Sequence, residues 1–167
     1  MRFRDGAGNA ATIVSDTIVF DSVAPAVPQL EIQQGGLPVT VTNNASIDVA
    51  FILADDGANL QYQVSQDAAF AGAFWVDGNV GINIFAHNLM GLDGLKTIYL
   101  RARDGAGNVS AAYSTDIAID RTGPSLNTVT INGGYNYTNS GVIRIENTSS
   151  ADAVCLRISQ RSICATL

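Results

Sequence analysis

The run Asp-Gly-Ala-Gly-Asn stands twice in this 167-residue chain, at residues 5–9 and 104–108. It gathers the residue types best suited to chemistry here: a carboxylate, a side-chain amide and glycines that let the backbone turn sharply. Such oxygens serve calcium, which takes about six to eight of them. They serve equally well as acceptors for backbone amides in a turn. Candidate calcium ligands are Asp55, Asp56, Asp104, Asn108 and Asp120. No Asp-x-Asp-x-Asp spacing joins them, so turn bonding is the expected role and calcium the alternative. At the junction residue Asp120 an ion is expected only if that side chain meets other oxygens, and neither calcium nor magnesium is expected to matter otherwise.

Other reactive residues are too isolated to form a catalytic set. His87 is the only histidine and Lys96 the only lysine; a triad or a zinc site needs several convergent partners. His87 reads as a strand-end residue and Lys96 as a solvated strand start, so neither a catalytic residue nor an isopeptide crosslink is assigned. Trp75, the sole tryptophan, lies between Phe74 and Val76 and is expected to pack with them rather than form a sugar platform. Cys155 and Cys164 are the only cysteines. Cys155 is expected on the outward face of its strand, with Val154, Leu156 and Ile158 inward and Cys164 brought opposite by a short hairpin. Such a pair oxidises outside the cell.

The elements that must position these residues are strands. Nearly half the chain is hydrophobic (47%), and the acids are almost all Asp rather than Glu, a bias toward turns over helix faces. Net charge is −6, which disfavours nucleic acid, since the sequence carries no basic stripe to release counterions from phosphates. No segment is long and apolar enough to span a bilayer as a helix. Ile98, Leu100 and Ala102 alternate with Tyr99, Arg101 and Arg103, a strand with aliphatics inward and arginines outward that runs into the second Asp-Gly-Ala-Gly-Asn turn. The same alternation puts Ile47, Val49, Phe51 and Leu53 on one face over residues 45–54, and Leu60, Tyr62 and Val64 on one face of the next strand. Val80, Ile82 and Ile84 share a phase further on. Residues 67–79 read as a helical turn or an irregular crossing.

The repeat extends well beyond the turn. At an offset of 99 residues, Ser15 matches Ser114, Ile18 matches Ile117, Asp21 matches Asp120 and Pro25 matches Pro124, with 13 identities and no gap between residues 2 and 35. A period near 100 is the size of a whole β-sandwich domain rather than of a solenoid unit. Residues 1–24 therefore read as the C-terminal hairpin of one repeat, 25–123 as a complete repeat and 124–167 as the N-terminal strands of a third. The Pro25 and Pro124 joints are short and stiff. The third piece should expose an uncovered apolar face.

The run from Leu95 to Ser110, followed by Asp120 and Pro124, resembles the tandem bacterial immunoglobulin-like repeats of large secreted and surface proteins. It is also similar to the end of a fibronectin type III module, but the corner tyrosine of that family falls here at Lys96. The resemblance implies an all-β immunoglobulin-like sandwich without catalytic residues. It would serve as an extracellular spacer or adhesive stalk in a larger chain, its partners being neighbouring repeats and a candidate cell-surface protein or glycan. The alternative is an accessory module, carbohydrate-binding in one version, beside a secreted hydrolase. No cofactor other than the calcium alternative is implied.

Overall fold

The computed structural model describes residues 2–57, 59–157 and 164–166, with the backbone alone for 157 and 164–166. The chain divides into two compact units, Met1–Asp120 and Arg121–Leu167.

Among the described residues the first unit holds nine strands: β1 (Ala26–Gln34), β2 (Leu37–Pro38), β3 (Val41–Thr42), β4 (Ser46–Ala54), β5 (Gln61–Ser65), β6 (Val76–Asp77), β7 (Gly81–Asn88), β8 (Gly94–Arg103) and β9 (Tyr113–Ile119). They form two sheets, ordered β2-β1-β4-β7 and β3-β9-β8-β5-β6. All pairings in them are antiparallel except β3 with β9. Alternation drives them together. Ile47, Val49, Phe51 and Leu53 of β4 face Ile98, Leu100 and Ala102 of β8 and Ile117 and Ile119 of β9 in one buried cluster. Tyr62 stands edge-on to Phe51 at 4.7 Å and to Phe85 at 5.9 Å, closing the middle of that core.

On β7 Ile82 and Ile84, with Val80 just before it, share the outward face, while Phe85 packs against the core. Inward-facing Asn83 instead bonds the backbone oxygens of Asn79 and Gly81 at 2.7 and 3.0 Å. Periodicity identifies two faces but not which one is buried, and the fit of one aromatic against Tyr62 decides the matter. Phe74 is 84% exposed rather than packed.

His87 is the penultimate residue of β7. It is half-buried, its ring 6.4 Å from that of Phe85, and its Nε2 is buried without a hydrogen-bond partner. Burial holds its pKa below the ordinary 6.5. The unfolded chain therefore takes up a proton before the folded one does, so stability is full above about pH 6.5 and declines as pH falls toward the lowered folded value. Denaturant midpoints measured from pH 7.5 to 5 should show this decline, and His87→Phe should flatten it; an unchanged slope in that variant would exclude His87 as the titrating group.

The crossing between β5 and β6 is irregular. Asp67 accepts hydrogen bonds from the amides of Ala69 and Ala71 at 3.0 and 3.1 Å, and Phe70 adopts φ 57°. A left-handed backbone at a bulky residue is strained. Phe70 is nonetheless 5% exposed, held in place by what it contacts.

Residues 12–20, expected to continue the first hairpin, form no strand, and the hairpin closes at an isolated bridge between Arg4 and Ala10. Ile18 is 96% exposed although its repeat partner Ile117 is fully buried. Among the described residues no neighbouring strand pairs with this segment, and an unpaired strand lacks both its ladder and its apolar cover.

Among the described residues the second unit contains two separate ribbons: β10 (Leu126–Ile131) with β11 (Ile145–Ser149), and β12 (Cys155–Arg157) with β13 (Cys164–Thr166). None of the buried hydrophobic residues of the described chain belongs to it. Val154 is 79% exposed rather than inward, and Ile158 lies outside the described residues. Cys155 is disulfide-bonded, but the register sets Thr166 opposite Cys155 and Cys164 opposite Arg157. The Cys164 side chain lies outside the described residues.

Candidate functional site

The two Asp-Gly-Ala-Gly-Asn turns fold alike. Asp104 accepts the Asn108 backbone amide at 2.9 Å and the Asn108 side-chain amide at 2.8 Å. Asp5 accepts the same groups of Asn9 at 2.8 Å each. Gly107 and Gly8 supply the positive φ, 95° and 92°, that closes the turn at low steric cost. Burial alone would raise the Asp104 carboxyl, but hydrogen bonds from Asn108, Gly107 and Ala106 outweigh it and hold the pKa below the ordinary 3.8. Asp104 therefore carries its charge although it is 4% exposed.

Around this buried carboxylate the fold gathers two others. Asp21, Asp55 and Asp104 each present an oxygen within 4.8 Å of the others. Asp21 lies in the segment before β1, Asp55 follows β4 and Asp104 follows β8, so three separate parts of the first unit meet here. Asp55 accepts the Gly57 amide at 3.1 Å and Asp21 accepts the Val23 amide at 3.0 Å. Asn108 also donates to the Asp21 backbone oxygen at 3.2 Å. A Cβ at position 57 would come within 2.9 Å of Asp55 Oδ2 and 3.4 Å of Asp21 Oδ2, so a side chain there would have to push the Asp55 carboxylate aside.

The sequence candidates thus divide. Asp55 and Asp104 converge, and Asn108 braces Asp104. Asp56 is exposed and outside the group. Asp120 is also outside it, its backbone amide donating to Thr42 O at 2.9 Å. Asp21 was missed as a ligand candidate, although its equivalence to Asp120 marked it as a junction residue. Ligand oxygens at about 2.3–2.6 Å from one ion lie no more than about 5 Å apart. The trio satisfies that limit.

Trp75 is half-buried and packs against arginine side chains. The Arg101 guanidinium lies 4.4 Å from the Phe70 ring centre and 5.4 Å from that of Trp75, and the Arg103 guanidinium lies 4.3 Å from Trp75. Phe70, Arg101, Trp75 and Arg103 form a ladder on the outer face of the second sheet. Neutral amides hold its rungs: Arg101 Nε donates to Gln63 Oε1 at 2.7 Å, and Arg103 Nε and Nη2 donate to Gln61 Oε1 at 2.8 and 2.6 Å.

The class defined by these two sheets is the all-β immunoglobulin-like sandwich. No family model matches the sequence, and no curated protein matches it. Among solved structures, the chain is similar to the PKD domain of an M14-like peptidase from Thermoplasmatales archaeon SCGC AB-540-F20, at 17% identity and a TM-score of 0.45. That similarity covers 59% of this chain and 98% of the other.

Proposed function

We propose that this chain is a non-catalytic, extracellular immunoglobulin-like spacer within a larger protein, its sandwiches following one another at Asp-to-Pro joints. The division into 1–24, 25–123 and 124–167 is the corresponding repeat arrangement. The observation that carries this reading is the meeting of Asp21, on the segment entering the sandwich, with Asp55 and Asp104 on its end loops. A spacer transmits position only if its joints resist bending, and this contact fastens the joint to the loop end. Three carboxylates so close repel one another unless a cation lies among them. Calcium is that cation in this reading: its oxygen preference and bond lengths suit Asp21, Asp55 and Asp104.

Binding to the folded state alone raises stability by mass action, by about 2.7 kcal/mol at a hundredfold excess over Kd. Calcium should therefore raise the melting temperature of the chain and a chelator should lower it, with magnesium much less effective because it demands tighter octahedral geometry. Asp21→Asn should abolish the shift, since it removes a ligand charge without touching the core. Equal melting with and without calcium would remove the ion from the joint and leave only the Asn108 hydrogen bond.

A further inference from the structure

We infer that Arg101, in its aromatic stack, is a binding site for a carboxylate-bearing sugar of the uronic acid type. In a chain of net charge −6, Arg101 and Arg103 are half-buried side by side. Among the described residues neither has a carboxylate within ion-pair distance. The positions opposite them on β5 are Gln63 and Gln61; glutamate there would have cancelled both charges, whereas glutamine orients the guanidinium and leaves the charge standing. Gln63 is itself 4% exposed, its amide nitrogen donating to Ala73 O at 2.8 Å, so the acceptor that aims Arg101 is locked.

That bond uses only Nε of Arg101, and among the described residues the two Nη groups, the planar fork that matches a carboxylate, have no hydrogen-bond partner. The Phe70 and Trp75 rings both lie against the Arg101 guanidinium, and Phe70 keeps its strained backbone while doing so. Strain retained at a bulky residue fits a site whose geometry is prepared in advance. Arg103 adds positive potential, but its fork is partly occupied by Gln61, which also donates to Asp77 at 2.8 Å, so Arg101 is the anchoring cation.

Long polyanions such as nucleic acid are disfavoured by the negative charge of the rest of the chain. A single carboxylate carried on an apolar-faced ring suits an arginine flanked by aromatics.

Trp75 is the only tryptophan, so its fluorescence reports this site alone. The test titrates the full chain with galacturonate, with oligogalacturonides, with galactose and with polyglutamate at matched ionic strength, and repeats the binding by calorimetry. Saturable responses to the acidic sugars and none to galactose are expected. A response to the monomer assigns a free sugar acid as ligand, and a response to oligomers alone assigns a glycan chain. Arg101→Gln should weaken binding at least tenfold, and Arg101→Lys, which keeps the charge but loses the fork, should do nearly the same; Arg2→Gln should bind as the parent does. Absence of saturation, equal binding of galactose, a polyglutamate response as strong as that to the sugars, or unchanged affinity in Arg101→Lys would overturn the assignment. The inference is independent of the joint: a chain indifferent to calcium leaves it intact.

Discussion

A fragment of residues 25–123 should unfold in one cooperative transition and a fragment of residues 124–167 should show none, the largest difference expected between two parts of the chain. Every buried hydrophobic residue of the described chain lies between Val27 and Ile119, so the first fragment retains the whole interior. The second has two ribbons of two strands each, and isolated two-strand pairs are marginal in water at best. Leu126, Val129 and Ile131 of β10 are all half or more exposed, leaving the apolar surface that folding must bury still in contact with water. The disulfide at Cys155 restricts the unfolded chain but adds no core. Circular dichroism melts of the two fragments measure the difference. A sharp transition in the shorter one would mean that its ribbons bury an interior of their own.

Leu100→Ala should cost about 2–5 kcal/mol, the range for emptying a fully buried leucine site. Against a total stability of about 5–15 kcal/mol for a domain, that loss is severe. Leu100 is 0% exposed and sits on β8, between β5 and β9 in the middle of the second sheet. Its neighbour Arg101 faces the other way, and the alternation alone implies that truncating it costs little. The ladder changes that expectation. Arg101→Ala removes two cation–π contacts and leaves Gln63 Oε1, on a buried side chain, without its donor. The loss should be about 1–2 kcal/mol, still below that at Leu100. Denaturant midpoints for the two variants, at unchanged m-value, test both the order and the size. The reverse order would mean that the core lies on the arginine face of β8.

What the sequence determined by itself was whatever the chain settles locally. The Asp-Gly-Ala-Gly-Asn turn adopts the same hydrogen bonds at Asp5, which is exposed, and at Asp104, which is buried, because all its partners lie within four residues. Strict alternation likewise marked the buried faces of β4 and β8, where one set of positions is wholly apolar. Tertiary structure decided what depends on distant partners. Ile18 and Ile117 occupy equivalent places in the repeat, yet one is bare and the other buried, since only Ile117 has β8 beside it and β1 across from it. On β7 the isoleucines lost the interior to Phe85, because Tyr62 of the opposite sheet accepts an aromatic ring there. Asp21 joined Asp55 and Asp104 across more than 80 residues of sequence. No spacing rule marks such a trio, because it forms only where the end loops of two packed sheets meet the segment that enters them.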